Sequence, residues 1–414
     1  MLPKSSVQRG GGATAILHDG LVTPPWLPLP SPPETPDHAT IEAMTLASAP
    51  ALSLVALSRE TVGLAELLFA AISSLSADVR ILRLPYFWRY GSRELAQLRT
   101  VIEGESRNRF VVFCPDSTEL YLPECDFMVV FSAYRSWFCP ARMRVVPHVW
   151  TPTRAPANSE SLIWSRKPPL RVGFMGCSHS TSRAAQLMRR LPRYVRRWLL
   201  RGRHLRYPHW IAKLNDCGVS IQHINAFPRI EAVDLLMAAR DSSGDLDVDV
   251  VQTNSFSGSQ AAIADYVGHL ARSTYVVCPR GTENYSYRVY EALSFGRVPV
   301  IVDTDIVLPP EFNWDQLSVR VPYESLDDIF SSIRHDYESH GTTQFLERQQ
   351  AALAATRAVR TMSWMDDVAA QIVEAARQSE RCRGRDRVRP RLGGPHIRNS
   401  IRRGTAHFVE GKDA

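Results

Sequence analysis

Arg280, Arg288 and Glu291 are the residues whose types and spacing lend themselves most directly to chemistry. Arg288 and Glu291 stand three apart, so on a helix they share one face. A guanidinium can fork onto two phosphate oxygens, and a carboxylate can accept both hydroxyl protons of a ribose. The same spacing would equally let the two pair with each other on a solvated face. Asn284 and Ser286, a few positions earlier, are residue types that cap helix N-termini. The free N–H groups of a first helical turn, together with the helix dipole, favour an anion such as a diphosphate.

Such a site needs a strand before it and a helix behind it, and the flanking sequence supplies both. Val276-Val277 and Val298 to Val302 are β-branched runs that read as buried parallel strands. Between them, Tyr287 to Phe295 carries apolar residues at helical spacing and stops at Gly296. Strand, loop containing Gly281, helix and strand make one βαβ crossover. Arg280 falls just past the first strand's C-terminal end, where open α/β sheets hold their ligands.

The rest of the chain alternates in the same way. LSLVAL (52–57), VRILRL (79–84), RFVVFC (109–114), FMVVFS (127–132) and MRVVPHV (143–149) read as strands. Residues 61–75 and 92–103 read as helices between them, which makes a parallel sheet covered by helices. A Pro- and Ser-containing connector follows at 151–169. LRVGFMG (170–176) then opens a second alternating set, with 298–302 expected as its last strand. Residues 344–378 read as one long terminal helix.

Together, Cys278-Pro279-Arg280-Gly281, Ser286-x-Arg288, the Tyr-Glu-Ala-Leu at 290–293 and Gly296-x-x-Pro299-Val300 resemble the C-terminal signature of the exostosin family, glycosyltransferase family 47. FNWDQLSVRV at 312–321 is similar to that family's next block, and 264–277 to the helix and strand leading into the signature. The good match covers 260–325, with a weaker one reaching back to 145. The resemblance implies an α/β GT-B fold, two Rossmann-like domains facing a cleft, with the terminal helix crossing back to the first domain. It divides the chain into a Pro-rich leader (1–45), an acceptor domain (46–150), a linker (151–169), a nucleotide-sugar-binding domain (170–340), the C-terminal helix (341–378) and a basic disordered tail (379–414). It further implies an inverting sugar transfer from a nucleotide-sugar to a glycan, lipid-linked or other hydroxyl acceptor, with no metal and no separate cofactor. Arg280, Gly281, Asn284, Ser286, Arg288 and Glu291 would form the donor site. Arg183 joins them because such sequences often carry an arginine near that position.

Composition narrows the alternatives. The chain has 414 residues, 44% of them hydrophobic, enough for two domains of ordinary size. A net charge of +7 suits an anionic partner. Seven cysteines without a C-x-x-C pair argue against a disulfide framework or zinc ribbon and for a reducing compartment. Seven prolines between Pro24 and Pro36 mark the leader as extended. Exostosin-type enzymes are usually anchored in the Golgi by an N-terminal span. No window here reaches ~18 consecutive apolar residues, so the expected location is cytoplasmic and membrane-peripheral, or the Golgi if the N-terminus is incomplete.

Several other features have residue types that could do chemistry. Gly176, in the turn before Ser178-His179-Ser180, could line the cleft or be only a tight turn; it is not part of a G-x-G-x-x-G fingerprint. Asp245, Asp247 and Asp249 form a D-x-D pattern that could hold a cation, but a solvated loop or strand edge is preferred. Glu283 and Glu291 have the E-x7-E spacing of retaining GT-B transferases, which keeps that chemistry as an alternative. The arginine-rich stretch 183–206, with Arg189, Arg193 and Arg197 taken as exposed members, could lie on an anionic membrane or hold an acidic acceptor. An ordinary solvated helix is the preferred alternative. The tail at 381–403 could touch phosphates weakly, without specific nucleic-acid recognition. An inverting transfer needs a base, for which Asp116, Asp126 and His148 are the candidates near first-domain strand ends. A non-catalytic binder of nucleotide or acidic glycan is the reading from a different class.

Overall fold

β-Branched and aromatic runs build two separate parallel sheets. The computed structural model describes 163–178, 188–200, 226–242, 246–253 and 260–379 (Thr282 apart), together with 125–147 (Trp137 apart), 79–83, 109–114 and isolated helical positions between 68 and 100. The expected strand at 52–57, the leader and the basic tail lie outside the described residues.

The first sheet has the order β1 (Val79–Arg83), β2 (Arg109–Cys114), β3 (Phe127–Val130) and β4 (Met143–Val145), all parallel. These four strands start where the sequence places them. Helical positions at Leu68, Ala71 and Ile72 bury an i, i+3, i+4 face against this sheet.

The second sheet comprises β5 (Arg171–Gly176), β6 (Asp247–Gln252), β7 (Tyr275–Cys278), β8 (Val298–Asp303) and β9 (Val319–Pro322). Its order is β6-β5-β7-β8-β9, again all parallel. β8 is therefore not the last strand: Val319 to Val321 pairs outside it. The helices are α1 (Arg193–Leu200), α2 (Phe227–Ser242), α3 (Gln260–Arg272), α4 (Tyr287–Ser294), α5 (Trp314–Leu317), α6 (Ile329–Ser339), α7 (Thr342–Ala358) and α8 (Met362–Ser379). Two parallel sheets with helical cover make the architecture α/β and GT-B-like.

Strand alternation divides the core. On β7, Tyr275 and Val277 face one hydrophobic cluster with Phe174, Phe227, Leu236 and Val300. Val276 and Cys278 face the other, shared with α4, α8 and the first sheet. The terminal helix expected at 344–378 is two helices, broken at Val359–Thr361. Thr361 supplies the reason: its hydroxyl accepts the Trp364 N–H at 3.2 Å, capping the second segment. That segment, α8, packs against β1, β2 and β3, so the chain does cross back to the first sheet.

Candidate functional site

The order β6-β5-β7-β8-β9 reverses direction beside β5. The two chain crossovers leave that strand in opposite senses, which opens a crevice at the C-terminal ends of β5 and β7. The polar residues of the signature gather there. β7 ends at Cys278, and Arg280 follows it, 3% exposed. Its Nη1 donates to the Tyr134 hydroxyl at 2.8 Å, and its guanidinium carbon lies 5.5 Å from that ring's centroid. Arg288, in the first turn of α4, donates from Nη2 to the Met175 carbonyl at 2.6 Å and stacks 4.6 Å from the Phe174 ring. A helix start is thereby tied to the end of β5.

A third arginine, Arg229, enters from the first turn of α2. Its Nε donates to the Arg280 carbonyl at 3.2 Å and its Nη1 to the Cys177 carbonyl at 3.4 Å. Burial, then the neighbouring charges of Arg288 and Arg280, push its pKa down to about 10. The hydrogen bonds of Arg229 and Arg288 go to backbone carbonyls, which carry no formal charge. Two glycines give these side chains room. A Cβ on Gly176 would lie 2.5 Å from Arg288 Nη2, and one on Gly281 would lie 2.9 Å from Arg229 Nη2. Gly176 is thus more than a tight turn.

Glu291, one turn further along α4, accepts a short hydrogen bond from the Tyr266 hydroxyl on α3. Burial and that carboxylate hold the Tyr266 pKa well above its ordinary value. Tyr266 stays a phenol, so it donates to and orients one carboxylate oxygen of Glu291. Ser286 is the N-cap residue of α4 and makes no side-chain cap hydrogen bond.

Asn284 has a different position from that expected of a donor-site residue. It is fully buried; its Nδ2 donates to the Ala133 carbonyl at 3.3 Å and its Oδ1 accepts from Thr304 at 2.5 Å. It therefore joins the two sheets. Glu283, the other member of the E-x7-E pair, is buried in the same loop, 7% exposed. Asp126 is not placed as a base. It is fully buried and precedes β3, at the end of the strand opposite Tyr134 and Arg280. Asp116, His148, Arg183 and Asp245 lie outside the described residues.

The acidic pattern on β6 and the arginine-rich stretch fall into structural roles. Asp247 and Asp249 lie on the edge strand β6 and are bound by Arg171 and Arg272, each at 2.6 Å. In the arginine-rich stretch, Arg196 meets Glu231 at 2.6 Å and Arg197 meets Asp327 at 2.8 Å. Arg197 is 8% exposed, which corrects its assignment as a surface residue. The block at 312–321 buttresses α4: Phe312 and Trp314 pack on Tyr290, and Trp314 Nε1 donates to the Pro309 carbonyl at 2.6 Å. A separate cavity of about 340 Å³ lies beside Phe127, Met143, Leu308 and Ile372. Its one charged lining residue, Arg144, is held by Glu311 and Gln371, so the titratable groups gather at the crevice instead.

A parallel α/β sheet with arginines converging at its switch point defines the class: a fold suited to a polyanionic ligand. Residues 229–335 match the exostosin GT47 domain. Over this stretch, about a quarter of its length, the chain is exostosin-like. A probable glucuronosyltransferase of Oryza sativa subsp. japonica is 41% identical over 78 residues, covering 18% of each chain. A second from the same organism, probable glucuronosyltransferase GUT1, is 34% identical over 102 residues, 23% of this chain and 22% of that one. The probable beta-1,4-xylosyltransferase IRX10 of Arabidopsis thaliana is 33% identical over 102 residues, 23% of each. The matched stretch thus spans about a fifth of the curated relatives' length. The matched domain begins at Arg229, the arginine that the signature itself leaves out. Its signal in the sequence was weak: one arginine after a Phe-Pro at a helix start, 51 positions before Arg280.

Proposed function

We propose that this chain transfers a sugar from a nucleoside-diphosphate sugar to a glycan or other hydroxyl acceptor, with inversion and without a metal ion. The observation that carries this reading is the convergence of Arg229, Arg280 and Arg288 at the crevice between β5 and β7. Three guanidiniums stabilise the negative charge that gathers on a diphosphate as the glycosidic bond breaks. The N-terminus of α4 adds its dipole, and the Ser286 hydroxyl, which makes no cap hydrogen bond, donates to a phosphate oxygen in this reading. Glu291, oriented by Tyr266, accepts from the ribose hydroxyls. The acceptor's proton goes to a base outside this group of residues.

The names of the relatives make nucleotide-linked glucuronic acid and xylose the first donors to test. Incubation with a panel of nucleotide-sugars should release free nucleoside diphosphate slowly even without acceptor, and the rate should survive excess EDTA. Arg288→Ala removes a charge-assisted contact of ~1.5–3 kcal/mol. It should weaken binding of the matching nucleoside diphosphate roughly ten- to a hundredfold by calorimetry. Unchanged affinity in a folded variant would remove Arg288 from the site. Binding without any turnover across the panel would favour a non-catalytic binder, and activity restored by manganese after EDTA would overturn the metal-free chemistry.

A further inference from the structure

Arg280 reaches the crevice from the second sheet, yet the group that holds its guanidinium comes from the first. Tyr134 lies four residues beyond β3, 2% exposed, and forms an antiparallel bridge with Ile306. Its neighbours are fixed by the second half of the chain. The Ala133 carbonyl accepts from Val307 N at 2.9 Å and from Asn284 Nδ2 at 3.3 Å. The Arg135 N–H donates to the Asp305 carbonyl at 2.8 Å, and the Arg135 guanidinium meets Asp303 at 2.9 Å. Asp305 takes a φ of 68° at this joint, a left-handed backbone that few non-glycine residues adopt. Ala133, Asn284 and Thr304 are essentially buried around it.

A buried guanidinium adopts whatever direction its hydrogen-bond acceptors dictate. For Arg280, Nη1 is directed by the Tyr134 hydroxyl, with the ring face adding a cation–π contact. We propose that Tyr134 is a positioning residue of the diphosphate site: it aims Arg280 at the ligand, so the site is complete only when the segment 133–136 is docked on 303–307. This rests on the donor-site reading above and adds to it that the first sheet's half helps to build the phosphate pocket as well as carrying the acceptor. Separation of the two halves at this joint would withdraw the Tyr134 hydroxyl from Arg280. Phosphate affinity would then report on the docking of the halves.

The test is a double-mutant cycle on Tyr134→Phe and Arg280→Gln, read by calorimetry with inorganic pyrophosphate, which needs no knowledge of base or sugar. Tyr134→Phe keeps the ring and its packing and removes only the hydroxyl. We expect pyrophosphate binding to weaken about three- to tenfold, as for the loss of one ordinary hydrogen bond, with the thermal midpoint close to wild type. In the Arg280→Gln background the same change should have no further effect. Combined with Arg288→Ala it should add in full, because the Tyr134 hydroxyl binds Arg280 and not Arg288. Arg280→Lys serves in the cycle if the glutamine variant does not fold. Wild-type affinity in Tyr134→Phe, or a loss that simply adds to that of Arg280→Gln, would overturn the role of Tyr134 and leave the donor site standing. Failure of the wild-type protein to bind pyrophosphate or any nucleoside diphosphate would overturn the donor-site reading itself.

Discussion

Arg229 donates only to backbone carbonyls, those of Arg280 and Cys177. It is buried beside two other arginines, and its pKa of about 10 still leaves it charged at neutral pH. An anion bound among the three would relieve their mutual repulsion. Arg229→Ala should therefore weaken nucleoside diphosphate binding about ten- to a hundredfold, the loss of one charge-assisted contact. The melting temperature of the ligand-free protein should stay level or rise. Calorimetry paired with thermal unfolding checks both halves of this expectation; a large fall in the unliganded midpoint would make Arg229 a structural residue. Asp249 and Arg272, by contrast, form a partly exposed pair whose removal should barely register, because such pairs contribute little.

At the scale of elements, α3 and α4 divide the work of supporting the crevice. The α4 boundaries follow from sequence: it runs Tyr287–Ser294, and Gly296 takes the positive φ of 65° that ends it. A Cβ on that glycine would meet Gln349 Cγ at 2.6 Å, so α7 also presses close. On α3, His269 is 1% exposed, and its Nε2 donates to the Asp249 carbonyl of β6 at 3.0 Å. Its Nδ1 is buried without a hydrogen-bond partner. Burial lowers its pKa from 6.5, and the charges of Arg272 and Arg288 add to that, against the opposing pull of Asp249. The folded protein thus binds fewer protons at this site than the unfolded chain just below pH 6.5. Stability should be full above that value and fall as pH drops from it towards the folded pKa. His269→Gln should flatten the dependence of melting temperature on pH in that window. An unaltered slope would assign the acid sensitivity to other groups.

For the whole molecule, α8 adds an apolar link between the two sheets to the polar joint at 133–136. Val368, Ala369, Ile372, Val373 and Ala376 are buried in the cluster that includes Val111, Phe127 and Val129 of the first sheet. Arg144 on β4 binds both Gln371 of α8 and Glu311. Ile372→Ala should lower stability by ~2–5 kcal/mol, the usual range for a buried large-to-small change. Hydrogen exchange should accelerate first in β1–β3, while β5–β8, whose core on the other face lies in a second cluster, stays protected. Equal acceleration in both sheets would show a single cooperative unit.

Readable from local sequence were the crossover from β7 through α4 to β8, the starts of the first sheet's four strands and the residue types of an anion site. Each of these is written in local periodicity, in a glycine stop or in a cluster of arginines. Sequence left open whether Arg288 faced Glu291 or a ligand, and it missed Arg229, β9 and the break at Thr361. The surroundings of Arg288 and Arg229 depend on which strand lies beside which: the switch point next to β5 brings Met175, Arg229 and Arg280 together from positions far apart in the chain. Tertiary structure also turned Asn284 from a cap into an inter-sheet joint and placed Asp126 at the wrong end of its strand for a base. Local pattern specifies an element and its buried face, but hydrogen-bond partners between elements are chosen only when the sheets stack.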